Sequence, residues 1–183
     1  MKVLVPLAQG FEEIEAITIV DILRRGGLEV VTASLDGSDL VEAAHGVKVA
    51  PDTSLSKIDD PLGFDAIILP GGNPGYTNLR RNSGLLEVVR RMNEAGRIIA
   101  AICGAPTVLS DLGILRGRAA TSHPSVKGEI VCGEYREDRT VVDGRIITSR
   151  SAGSAMEFAF KLLEVMKGHE IVEEVNRGVI ARL

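Results

Sequence analysis

The sequence predicts an α/β sandwich: a mostly parallel sheet with helices packed around it. Three observations point there. Short apolar runs of strand length alternate with helix-length segments whose apolar residues recur every three or four positions. The strand-like runs are rich in Val, Ile, Leu and Ala, as strands buried on both faces must be. The chain holds 20 glycines but only four Phe, two Tyr and no Trp, a balance that suits many tight strand-to-helix turns.

Lys2 to Leu7 reads as a buried strand, broken by Gln9-Gly10. Glu12 and Glu13 suit the positive first turn of a helix. Ile14, Ile17, Val20 and Leu23 carry that helix to Arg25, and Gly26-Gly27 stop it. Leu28 to Ala33 is the second strand, which completes a β-α-β unit. Asp36-Gly37 marks a turn, and Val47 to Ala50 alternates like a strand before Pro51. Phe64 to Leu69 is a central strand ending at Pro70-Gly71-Gly72-Asn73. A helix over Gly84 to Ala95, capped by Asn82 or Ser83, turns Leu85, Leu86, Val88, Val89 and Met92 inward. Arg97 to Ile102 is the next strand, with a helix over Gly104 to Leu112. Thr140–Val142 and Arg145–Thr148 flank Asp143-Gly144, a hairpin signal. Helices over Ser154 to Lys167 and His169 to Asn176 follow.

The chain has 183 residues and shows no linker, repeat or low-complexity stretch, so residues 1–183 are read as one domain. With 21 basic and 25 acidic residues the formal charge is -4, and no Lys/Arg cluster is present to displace phosphate counterions. Nucleic acid and acidic membranes are therefore not the expected partners. No apolar run approaches the ~18 residues of a membrane span, and Met1 to Leu7 lacks the basic region and cleavage site of a signal peptide. Two cysteines, Cys103 and Cys132, form no disulfide framework, and a reducing cytoplasm is the expected compartment.

In parallel sheets ligands gather beyond the C-terminal strand ends, where Gln9–Glu15, Pro70–Asn73 and Cys103–Pro106 meet. Cys103 sits between strand and helix with Ala101 and Ala105 two positions away, as a strained nucleophile elbow requires. The bland alternative is a buried structural cysteine, which is how Cys132 is read. The N–H groups of Gly71, Gly72 and Gly104 are candidate oxyanion donors, although Pro-Gly-Gly is also an ordinary turn. Glu12 and Glu15 share a helical face while Glu13 points away, and at least two of the three are expected to be solvated. A glutamate serving Cys103 has to be protonated, because two negative charges side by side raise both pKa values. His123, held extended by Pro124, is the candidate base or orienting group; His45 and His169 read as surface residues. No His/Cys/Asp/Glu set has metal-ligand spacing along the chain, so no metal site is expected. Gly71-Gly72-Asn73-Pro74-Gly75 fits neither common nucleotide-binding loop, so no cofactor is expected.

Four motifs together resemble the ThiJ/PfpI superfamily, on the branch of the Parkinson's-associated deglycase and bacterial YajL-like proteins. They are Gly10-Phe11-Glu12-Glu13-Ile14-Glu15, Leu69-Pro70-Gly71-Gly72-Asn73, Ala100-Ala101-Ile102-Cys103-Gly104-Ala105-Pro106-Thr107 and Thr121-Ser122-His123-Pro124. The resemblance runs from Lys2 to about Val179 and implies a flavodoxin-like sandwich, usually a homodimer. It implies that Cys103 is the nucleophile, Glu15 the protonated glutamate bonded to its sulfur, and His123 the nearby histidine. Gly71, Gly72 and Gly104 match the backbone donors, with Asn73 beside them. The implied activity is conversion of methylglyoxal, glyoxal or their early protein adducts to hydroxy acids without glutathione. The alternatives are an oxidative-stress sensor or chaperone with little turnover, and a cysteine hydrolase or peptidase. Gly104 stands where the peptidase-like branch has His, which weighs against the last.

Overall fold

The computed structural model describes residues 1–182; Leu183, the last residue of the expected domain, lies outside them. In chain order the elements begin β1 (Lys2–Leu7), α1 (Glu13–Arg25), β2 (Glu29–Ser34), β3 (Val41–Glu42), β4 (Lys48–Val49), β5 (Thr53–Ser54) and β6 (Ala66–Leu69). Then come α2 (Gly75–Arg81), α3 (Ser83–Glu94), β7 (Ile98–Ile102), α4 (Pro106–Asp111), β8 (Ala119–Ala120) and β9 (Glu134–Tyr135). The last are β10 (Thr140–Asp143), β11 (Ile146–Ser149), α5 (Ala155–Lys167) and α6 (His169–Val179). The main sheet has the order β10-β11-β7-β6-β1-β2-β5. Every neighbouring pair in it is parallel except the β10–β11 hairpin.

Strand alternation divides the core. Val3, Val5 and Leu7 of β1, with Ala66, Ile68, Ala100 and Ile102, pack under α1, α5 and α6. Leu4, Ile67, Leu69, Ile99 and Ala101 point to the opposite face, under α2, α3 and α4. Both faces of the central strands are covered, which is why those strands are apolar throughout. Asn82 caps α3 by accepting the Leu85 N–H at 2.8 Å, a bond worth about 1 kcal/mol.

Several local expectations are corrected. The Val47–Ala50 strand shrinks to Lys48–Val49 and pairs with Val41–Glu42 in a separate ribbon. Helix α2 has no helical signature in the sequence, because its Gly75, Thr77 and Asn78 are poor helix formers and its buried residues are few. The apolar stripe of α1, by contrast, faces the core only in part, as one side of a helix packed on a sheet must: Val20 and Leu23 are buried, while Ile14 and Ile17 are 56% and 44% exposed. Helix α4 starts at Pro106, where proline fits the first helical turn, so Cys103-Gly104-Ala105 forms the turn before it.

Candidate active site

Cys103 follows β7 directly and has φ of 64°, a left-handed conformation that costs a non-glycine residue roughly 1–2 kcal/mol. The surroundings hold it there. Its N–H donates to Ser149 O at 3.0 Å, and its carbonyl accepts the His123 N–H at 2.8 Å. Both backbone groups are thus fixed by neighbouring segments, and the side chain is thrust beyond the sheet edge. The elbow read from the small flanking residues is present.

Glu15, in the first turn of α1, is wholly buried. Its Oε2 accepts the Gly71 N–H at 2.8 Å and its Oε1 is buried without a partner, while Oε2 and the Cys103 sulfur both lie against Gly71, 2.8 and 3.1 Å from where a Cβ would stand. The turn after β6 comes very close. Gly72 has φ of 95°, and a Cβ there would lie 2.3 Å from Glu12 N and 2.4 Å from Gly10 O, so only glycine fits. Gly71 is a correction. Its N–H is spent on Glu15 and is not available to an oxyanion, whereas Gly72 and Gly104 line the same pocket as Cys103 and their N–H groups favour the charged sulfur.

Burial pushes the Glu15 carboxyl up to about 7 against the lowering effect of the Gly71 N–H. Burial, with the Glu15 charge adding to it, pushes the Cys103 thiol up to about 12, and the Gly72 and Gly104 N–H groups only partly offset that. Helix α4 begins too late to supply a strong dipole at sulfur, and the adjacent carboxylate repels a second negative charge. The pair therefore gives up one proton near neutral pH and holds the other.

A pocket of about 350 Å³ opens over the sulfur, lined among others by Glu12, Glu15, His45, Asn73, Tyr76 and His123. All the candidate side chains lie on it, but their contacts differ. His123 Nδ1 lies 2.7 Å from Ser125 Oγ and accepts the Ser125 N–H at 3.2 Å, which leaves Nε2 as its free ring nitrogen. His45, read as a surface residue, is 71% exposed but stands at the pocket mouth, 3.0 Å from Glu13. Glu13 does not simply point away; it pairs with that imidazole. No local signal marks His45, because its partners lie 32 positions earlier in the chain.

A carboxyl titrating near neutrality against a thiol on a strained elbow, with backbone donors around the sulfur, defines a protein of the cysteine-elbow α/β class. The comparison with known families is specific: residues 1–165 match the DJ-1/PfpI family, and the chain belongs to it. It is 43% identical over 179 residues to protein dj-1beta of Drosophila melanogaster, covering 97% of this chain and 95% of that one. It is 39% identical over 161 residues to the glutathione-independent glyoxalase DJR-1.2 of Caenorhabditis elegans, covering 87% and 84% of the two chains. The solved structure of oxidized Toxoplasma gondii DJ-1 superposes with a TM-score of 0.94 at 36% identity, over 100% of this chain and 99% of that one. The family fold is the flavodoxin-like arrangement of a mostly parallel sheet with helices on both faces. No helix among the described residues is long and apolar enough to cross a membrane.

Proposed function

We propose that this chain is a cofactor-independent glyoxalase acting on methylglyoxal, glyoxal or the early adducts they form on proteins. The observation that carries the reading is the Glu15–Cys103 pair: one proton shared between a carboxyl matched to neutral pH and a nucleophilic sulfur. The Glu15 carboxylate takes the thiol proton as sulfur attacks the aldehyde carbon, giving a hemithioacetal. The N–H groups of Gly72 and Gly104 stabilise the oxyanion until Glu15 returns the proton to it. Glu15 then removes the hydrogen from the former aldehyde carbon and delivers it to the adjacent carbonyl carbon through an enediol. The product is a thioester, which water hydrolyses to the hydroxy acid and free Cys103. The sum is one aldehyde plus one water. His123 Nε2 assists proton movement at the substrate oxygens, and Asn73 borders the bound molecule. The name of the Caenorhabditis elegans relative supports this chemistry. Two free cysteines suit a reducing, cytoplasmic compartment. The test is lactate formation from methylglyoxal after rigorous metal removal. Wild type should produce lactate and Cys103→Ala should not; equal rates, or none from wild type, reject the reading.

A second reading, a redox sensor with little turnover, draws on the oxidized form of the Toxoplasma gondii relative. In it, Cys103 takes two oxygen atoms from two molecules of peroxide, each released as water, and the sulfinate is held by the Gly72 and Gly104 N–H groups. Peptide mapping after graded peroxide should find this product on Cys103 before any change at Cys132. First modification at Cys132, or a Cys103–Cys132 disulfide, rejects it.

A further inference from the structure

Three short segments lead away from the Cys103 elbow. Helix α2 starts with Tyr76 against it, α4 follows it directly, and a 3-10 turn over Pro124–Glu129 follows His123. Their near ends are in contact. The His123 N–H donates to Cys103 O, and the Tyr76 ring fills the space over Gly104, where a Cβ would lie 2.6 Å from its Cγ. None of the three exceeds seven residues, and helices shorter than about 12 residues hold their shape through tertiary contacts rather than their own hydrogen bonds. Whatever fixes their far ends therefore bears on the elbow.

The far ends meet at Arg80. It lies one helical turn beyond Tyr76, on the same face of α2. Its guanidinium grips Asp111, the last residue of α4, twice: Nε donates to Oδ2 at 2.5 Å and Nη2 to Oδ1 at 3.0 Å. Its Nη1 donates at 2.5 Å to Oε2 of Glu129, the last residue of the 3-10 turn. Ser110 ties the same two ends together, its Oγ donating to Glu129 O at 3.0 Å and accepting the Val131 N–H at 2.8 Å. A single exposed ion pair contributes little. A forked arginine shared by two carboxylates is the exception, and the Arg80 side chain is only 27% exposed.

We propose that Arg80 is a positioning residue for the Cys103 elbow, acting through Asp111 and Glu129 at the ends of the three segments remote from the pocket. None of these three is among the described residues lining that pocket. The ion cluster closes α2, α4 and the 3-10 turn into one unit, so that Tyr76, Gly104 and His123 stay in place at its other end. The elbow needs this, because a left-handed cysteine persists only while its surroundings over-determine it. With the clamp open, Tyr76 is free to leave Gly104 and the turn relaxes. The sulfur then moves away from Glu15 and from the Gly104 N–H that favours its charge. The inference rests on the Glu15–Cys103 pair of the proposed function, not on the substrate that the pair acts on.

The test is the rate of Cys103 alkylation by iodoacetamide at pH 7.5 in the full chain carrying Cys132→Ser, where one thiol remains. Arg80→Met keeps the apolar stem and removes the charge. Arg80→Met and Asp111→Ala should each slow labelling about three- to tenfold, and the double variant should be no slower than either, because both open one clamp. Arg80→Lys should fall between Arg80→Met and the parent, since an ammonium supplies the charge without the fork. Arg90→Ala, which removes an exposed pair with Glu87 inside α3, should label at the parent rate. Loss of global stability alone would expose the thiol and speed labelling rather than slow it. Parent-like or faster labelling in Arg80→Met, or losses that multiply in the double variant, overturn the proposal. Labelling is independent of turnover, so a chain that makes no lactate but keeps this pattern refutes the glyoxalase reading alone.

Discussion

The backbone N–H of Gly71 donates to Oε2 of Glu15 at 2.8 Å, and this bond joins the turn after β6 to the first turn of α1 across 56 positions of sequence. It aims the carboxyl at Cys103 while leaving Oε1 unpartnered. A full negative charge on such a carboxyl is costly, and that cost is what moves its titration toward neutrality.

The first prediction concerns reactivity. Glu15 ionises near about 7 and then serves as the base for the Cys103 thiol, so alkylation by iodoacetamide should rise through a midpoint near that pH. Glu15→Gln keeps an oxygen for the Gly71 N–H but has no base. Its labelling at pH 7.5 should fall at least about tenfold, with the neutral midpoint gone. Superimposable pH profiles for the two proteins would remove Glu15 from the mechanism.

The second concerns stability. In the unfolded chain Glu15 releases its proton near the ordinary glutamate value, about 4.3, whereas in the native protein it holds the proton to about 7. Between those limits the native state binds the extra proton. The contribution is therefore fully present below pH 4.3 or so and is lost as pH rises through about 7, to the extent of about 4 kcal/mol. Urea midpoints at pH 5 and pH 8 should differ more for wild type than for Glu15→Gln. An equal difference would mean that the buried carboxyl does not couple to folding.

The α/β class, the central strands and the elbow were legible because each has a local signature: apolar runs, periodic helices, and alanines on both sides of Cys103. Glu15 was legible only through the resemblance, since three neighbouring glutamates look alike until the fold buries one at 0% exposure. The use of the Gly71 N–H was not legible, because which of two adjacent glycines faces a carboxyl depends on turn geometry. Nor was the Glu13–His45 contact, which needs the β3–β4 ribbon to carry residue 45 back to α1. Two-residue strands such as β3 and β5 leave no periodicity to read.

The third prediction follows from the elbow. Cys103 is held at φ of 64°, where a Cβ is strained and glycine is not. Cys103→Gly should be about 1 kcal/mol more stable to urea than Cys103→Ala, the reverse of the order in a helix interior. If Ala is as stable as Gly, the left-handed conformation carries no cost at this position.

The fourth prediction concerns the outer face of α1. Ala16, Ile19, Ile22 and Leu23 are buried in the core shared with α5, but Ile14 and Ile17 project outward at 56% and 44% exposure. Ile17 also borders a hollow of about 360 Å³ with Met156 and Val179, beside the Asp21–Arg25 ion pair. Two isoleucines one helical turn apart, next to a partly apolar hollow, leave an apolar strip that a second copy of the chain can cover. A two-fold dimer brings the same strip from each copy together, so one substitution acts twice at the interface. We propose that the protein dimerises through this face. Sedimentation equilibrium at micromolar concentration should return about twice the 19.5 kDa chain mass. Ile17→Glu places two like charges in the contact and should return a species near 19.5 kDa with unchanged circular dichroism. A wild-type protein already at 19.5 kDa, or a glutamate variant that stays dimeric, would show that α1 does not form the contact.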